Sequence, residues 1–182
     1  TVSNLALRGL RVSQYYDTHT SVVDPSHVIG GSQDQGYQVT ALETQEEGEE
    51  VWRFSQIISG DYGHITSSDG SHEIVYSVYP GFILVQVGEE EPVLGSIDFP
   101  ANESYVPWMP PIVADPENPL GLFFPASRLY YIQFRTNTWV TRTWSDHNFA
   151  LSSGEYISAL AIAPSDGNHM AAATSHGRVW FS

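Results

Sequence analysis

The chain has 182 residues, 41% of them hydrophobic and 13% aromatic, enough to build a packed core and to exclude wholesale disorder. Against 21 acidic side chains stand only 7 basic ones, all arginine, giving a formal charge of -14; such a chain repels phosphate backbones and anionic lipid, which argues against nucleic-acid and membrane-surface partners. Cysteine is absent, which removes disulfides and thiolate chemistry, and no apolar run approaches the ~18 residues of a membrane-spanning helix.

The 15 glycines and 11 prolines fall at short intervals and leave little room for helices. Between them lie short runs of β-branched and aromatic residues. In chain order these include His27-Val28-Ile29, Val51-Trp52-Arg53-Phe54, Ile74-Val75-Tyr76, Phe82-Ile83-Leu84-Val85, Leu129-Tyr130-Tyr131-Ile132 and Thr138-Trp139-Val140. Bounded by Gly, Pro, Asn, Asp and Ser, such runs read as strands joined by tight turns. The one helix-friendly stretch, residues 41–50, holds five glutamates, is interrupted by Gly48 and has a thin apolar face; it reads as a solvated loop or strand end. The chain is all-β.

A weak repeat runs through it. Taking Asp24, Ser68, Asp115 and Ala163 as equivalent gives spacings of 44, 47 and 48 residues. Each unit offers a short apolar strand, a turn rich in Asp, Pro, Ser and Asn, and further strands. Four strands in roughly 45 residues is the period of a β-propeller blade. The expected architecture is therefore a propeller of four-stranded antiparallel blades, about four of them, over residues 11–58, 59–108, 109–153 and 154–182, the last incomplete. The reading favours an arc of a larger propeller over a closed four-blade ring, with open blade edges available for association.

The turn Gly30-Gly31-Ser32-Gln33-Asp34-Gln35-Gly36, followed by Trp52 and then Ser59-Gly60-Asp61-Tyr62-Gly63, resembles the large propellers built of bacterial-neuraminidase repeats, the sortilin-like and sialidase-like superfamily. Members carry a Gly-Gly-x-Gln-Asp-x-Gly turn, a Trp, and a Gly-Asp-x-Gly loop opening the next blade; here Tyr62 interrupts the usual Gly-Asp-Gly-Gly. Residues 32–36 also fit the first five positions of an Asp box, but Val39 stands where its aromatic belongs, so that match reads as coincidental.

In an up-and-down blade, the turn between strands two and three shares a face with the loop entering strand one. Asp34 and Asp61 are thus expected on one rim. There they could serve as a glycosidase acid/base pair, or bind a hard cation such as calcium, or simply support their own turns. Gln33, Gln35, Tyr62, Tyr79 and Trp108 are the accompanying candidate ligand-binding residues, with Phe82 and Tyr105 also in or beside loops; the alternative for the aromatics is that, as most propeller aromatics do, they wedge between blades. The seven histidines form no ligand-spaced cluster, so no metal site is expected and no cofactor beyond that calcium. Sialidase chemistry would need an arginine cluster, and nothing in the spacing of Arg8, Arg11 and Arg53 singles them out. Asn102-Glu103-Ser104 is a glycosylation sequon. The leading expectation is an extracellular or envelope-associated binding or scaffold module that presents loops to a glycan or protein, without membrane insertion. The alternative is a glycoside hydrolase of the sialidase-like or xyloglucan-degrading kind, with Asp34 and Asp61 as its carboxylates.

Overall fold

The structure is a computed structural model that describes residues 13–44, 48–80, 82–96, 103, 105–135, 138–143 and 152–182. Its described residues form fifteen strands and no helix. The first sheet holds β1 (Tyr15–Thr20), β2 (Val28–Ser32), β3 (Gly36–Thr44) and β4 (Glu50–Ile58). The second holds β5 (Gly63–Ser67), β6 (Ile74–Tyr79), β7 (Phe82–Val87) and β8 (Val93–Ser96). The third holds β9 (Val113–Ala114), β10 (Gly121–Pro125), β11 (Leu129–Arg135) and β12 (Thr138–Thr143), and the fourth β13 (Ile157–Ala163), β14 (Asp166–Thr174) and β15 (Val179–Phe181). Every sheet is antiparallel and its strands follow chain order, the arrangement of a propeller blade. Residues 41–50 resolve as two strand ends, β3 running to Thr44 and β4 starting at Glu50.

Strand alternation shares the core between blades. In β6, Val75 packs toward the first blade while Tyr76 and Val78 pack toward the third; in β7, Leu84 faces one way and Ile83 and Val85 the other. β10 and β11 divide likewise, Leu122, Phe124, Tyr130 and Ile132 toward blade 2 and Phe123, Leu129 and Tyr131 toward blade 4. A strand buried on both faces reads as a continuous apolar run, which is why the middle blades carry sequences such as FILV and GLFF. The outer flanks are different. Blade 1 exposes Tyr15, Leu42, Trp52 and Phe54, and blade 4 exposes Val179 and Phe181.

The repeat has a physical basis, and it corrects the register read from sequence. Four aspartates close the connection between first and second strands by accepting the amide two residues on. Asp24 Oδ1 takes Ser26 N–H (3.0 Å), Asp69 Oδ1 takes Ser71 (2.9 Å), Asp115 Oδ1 takes Glu117 (2.9 Å) and Asp166 Oδ1 takes Asn168 (3.0 Å). The equivalent positions are therefore Asp24, Asp69, Asp115 and Asp166, so Ser68 and Ala163 fall one and three residues early. Neighbouring turns are laced together: Val22 N–H donates to Gly70 O (2.9 Å), Ser68 Oγ to Asp115 O (2.6 Å) and Gly167 N–H to Glu117 Oε1 (3.2 Å).

At the other end of the blades, the turn joining β2 to β3 is tight. Asp34 and Gly36 have φ of 61° and 73°, and a Cβ on Gly36 would lie 1.9 Å from Ile58 O. At Gly31 blades 1 and 2 approach closely, since a Cβ there would lie 2.3 Å from the Tyr62 carbonyl oxygen.

Candidate functional site

The turn between β2 and β3 and the loop entering β5 meet on one rim. Gln35 and Gly60 form an isolated parallel bridge, and Asp61 Oδ1 accepts the backbone N–H of Asp34 at 3.1 Å. The two aspartates predicted for this rim are thus brought together, but Asp61 spends part of its carboxylate holding the Asp34 turn. Gln33 and Gln35 are exposed, yet their backbones are committed. Gln33 N–H donates to Gln14 O (2.9 Å), and Gln35 O accepts the side-chain amides of Gln56 (2.8 Å) and Gln38 (3.3 Å). The Gln35 side chain accepts from Ser13 Oγ.

Tyr62 corrects the expectation of an exposed aromatic. It is only 2% exposed, packed edge-on to Tyr37 and beside Tyr79 in the core between blades 1 and 2, and burial pushes its phenol up to about 12. Tyr79 is half-buried and leans on Tyr62 and Phe82; Phe82 remains exposed at the start of β7. Trp108 is the outward-facing member, 57% exposed, its ring edge-on to Tyr16 at 6.0 Å between centroids. The segment carrying it is fixed from beneath by His64, which hydrogen-bonds the Met109 backbone, and by Met109 resting over Gly63.

Tyr16 was not among the residues singled out by the sequence, and it ties the site together. Desolvation first, then the charges of Asp61 and Asp34, raise its phenol above the ordinary range, so the phenol stays protonated in the field of the two carboxylates. Its place in β1, two residues after the Gln14 that accepts from Gln33 N–H, was the available signal. The rim thus presents an indole face, a phenol and two carboxylates, a set that suits a cationic or hydroxyl-rich group held against an aromatic.

Farther along the same face, Tyr105 stacks on Tyr156 (4.5 Å, 19°). Glu103, the middle residue of the sequon, accepts from Ser127 Oγ, Tyr130 Oη and Tyr105 N–H, and these bonds hold its carboxyl below the usual range against the opposing effect of burial. In blade 4 the buried Glu155 carboxylate accepts from Arg178 Nε (2.9 Å), Arg178 Nη2, Thr174 Oγ1 and Ser152 N–H (3.0 Å). Asn102, Ser104, Arg8, Arg11 and His147 lie outside the described residues; Arg53 lies in β4.

At the opposite end of the first two blades, folding does what spacing did not suggest. His27 and His72 stack face to face at 4.2 Å, with Glu89 beside them. Both histidines stand three residues after a turn-closing aspartate, in Asp24-Pro25-Ser26-His27 and Asp69-Gly70-Ser71-His72, and that repeated motif was the missed signal.

No known protein family matches this sequence, and no curated protein does either. Among solved structures, the chain is similar to the β-propeller domain of Cps50 (Swd1) from Myceliophteria thermophila, with a TM-score of 0.65 at 12% identity, over 94% of this chain and 53% of that one. The chain therefore spans about half the length of that domain. Likeness at this identity concerns the fold, and the neuraminidase-repeat resemblance rests on the turn motif alone. With four antiparallel sheets set blade against blade, the chain has the β-propeller fold.

Proposed function

We propose that this chain is a binding or scaffold module whose rim at the joint of blades 1 and 2 docks a protein partner through a basic and an apolar side chain. The observation that carries the reading is Trp108, held more than half exposed against Tyr16, whose phenol feels the charges of Asp61 and Asp34. An exposed indole on a rigid support is an anchor of the kind that dominates interfaces, and flanking carboxylates select a cation. The net charge of -14 steers such a partner from a distance. A glycan is the second reading, since an indole face also stacks on a sugar ring and carboxylates accept its hydroxyls. An extracellular or envelope setting and membership of the neuraminidase-repeat superfamily belong to the same proposal and rest on sequence. The exposed flanks of blades 1 and 4 suit packing against further blades, with Tyr15, Leu42, Trp52 and Phe54 on one side and Val179 and Phe181 on the other.

For the alternative, a glycoside hydrolase with Asp34 and Asp61 as its carboxylates, Asp61 has one carboxylate oxygen engaged by the Asp34 amide. The test is binding of immobilised arginine- and lysine-bearing aromatic peptides, and of a glycan array, to the full chain. Binding that weakens with salt and falls at least about thirtyfold in Trp108→Ala, a hot-spot loss, supports the reading. Binders indifferent to Trp108→Ala, or none, overturn it. Labelled-glycan turnover above background that disappears in Asp34→Asn would move the function to catalysis.

A further inference from the structure

We propose that His27, His72 and Glu89 form a binding site for a first-row divalent metal ion of the zinc type, which clasps blade 1 to blade 2. One donor atom from each lies within 4.8 Å of the other two, although they come from three separate loops: β1–β2, β5–β6 and β7–β8. Two imidazoles and one carboxylate are a donor set that zinc and its neighbours favour, with a fourth position left for water.

Several features make this more than proximity. The His27 side chain is 10% exposed, and its buried Nε2 has no hydrogen-bond partner, an unspent capacity unusual for a buried imidazole. Its Nδ1 lies 4.0 Å from Glu89 Oε1. The His72 ring is positioned by Ser21 Oγ at Nδ1 (2.9 Å), the outer support that ligating histidines commonly have. Asp24, which feels both rings, adds negative charge nearby, and His19 is anchored on Ser71 O (2.9 Å).

The unliganded geometry also says what binding must change. Donors around a tetrahedral ion with bonds near 2.1 Å sit about 3.4 Å apart, so the triad contracts by roughly 1 Å. Glu89, 86% exposed at its side chain, has the freedom to do so. The imidazoles are only 15° from parallel, and an ion cannot lie in both ring planes at once. Ligation therefore turns one ring out of the stack.

The test uses Zn²⁺ and Co²⁺ alone with the full chain. Expected are one-to-one calorimetric binding of Zn²⁺, visible Co²⁺ absorption of a low-coordinate nitrogen–oxygen site, and a rise in melting temperature on saturation. His72→Gln and Glu89→Gln each weaken binding at least about tenfold, whereas His169→Gln, at an exposed histidine on blade 4, leaves it unchanged. Glu89→Gln keeps the test readable if the buried histidines prove necessary for folding. The proposal is overturned if no binding occurs up to millimolar Zn²⁺, or if binding survives His72→Gln and Glu89→Gln undiminished.

Discussion

The first and last of the three blade joints solve the same packing problem with different chemistry. Between blades 1 and 2, Ile29, Tyr37 and Val39 meet Tyr62, Ile65, Val75 and Leu84, and the polar contacts are a phenol on an amide, stacked imidazoles, and two carboxylates, Asp17 on Ile65 N–H and Asp61 on Asp34 N–H. Between blades 3 and 4, Phe123, Leu129 and Tyr131 meet Ile157, Met170 and Ala172, and a carboxylate crosses at Glu117 on Gly167, while Glu155 on Arg178 braces blade 4 itself. Stacked imidazoles lie at the first joint, and a buried carboxylate held by a guanidinium lies inside the last blade. The difference teaches that protonating His27 and protonating Glu155 strike different parts of the molecule.

The strongest way to break the comparison is through the cores. Tyr37 is fully buried, and its hydroxyl donates to buried Gln86 Oε1 at 2.7 Å. Tyr37→Ala is expected to cost about 3–5 kcal/mol by cavity formation, and Tyr37→Phe about 1–3 kcal/mol by stranding the Gln86 carbonyl. Urea unfolding measures both, and hydrogen exchange should place the added opening in blades 1 and 2. Equal acceleration in blade 4 would remove the independence of the joints.

Acid comes next. The Arg178 bonds, first among several, hold the Glu155 carboxyl well below its ordinary value of 4.5. A depressed carboxylate contributes stability that is present above the unfolded value and is lost as pH falls through the folded one. Melting temperature should therefore drop below about pH 4.5 in the native chain and drop less steeply in Glu155→Gln. Parallel acid limbs for the two would assign the loss to other carboxylates.

The smallest effect belongs to His27. Its folded pKa is depressed from 6.5, so the unfolded chain binds a proton that the folded chain refuses. Stability at the first joint should be full above pH 6.5 and diminish as pH falls below it, a shoulder that His27→Gln abolishes. NMR titration of the His27 ring reads the same event directly, and an unshifted midpoint would contradict it.

Much of this was legible from sequence, and for definite reasons. Strands were visible because β-branched and aromatic runs are bounded by turn formers, and Val28, Ile74, Phe82 and Leu129 each open or lie in a strand of the structure. The phase of the repeat slipped because the strand ends preceding Asp115-Pro116 and Pro164 look alike, whereas the equivalence is set by which aspartate caps an amide two residues on. Asp34 and Asp61 could be placed on one rim because blade connectivity alternates faces. That Tyr62 turns inward could not be read, since a residue following a Gly-Asp turn looks exposed until Gly31 draws the neighbouring blade against it. The His27–His72 pair was hidden because its members belong to different blades and meet only when the sheets stack.

Among the described residues, each sheet seals only to the one before and the one after it. Mechanically, such an assembly is a set of seams in series, with no keystone whose removal brings down the rest. Tension applied across the arc is carried by every seam equally, and the weakest alone decides where it parts. Among the described residues the inner two blades are sealed on both faces, so the seam carrying Tyr76, Leu122 and Ile132 is the last to open.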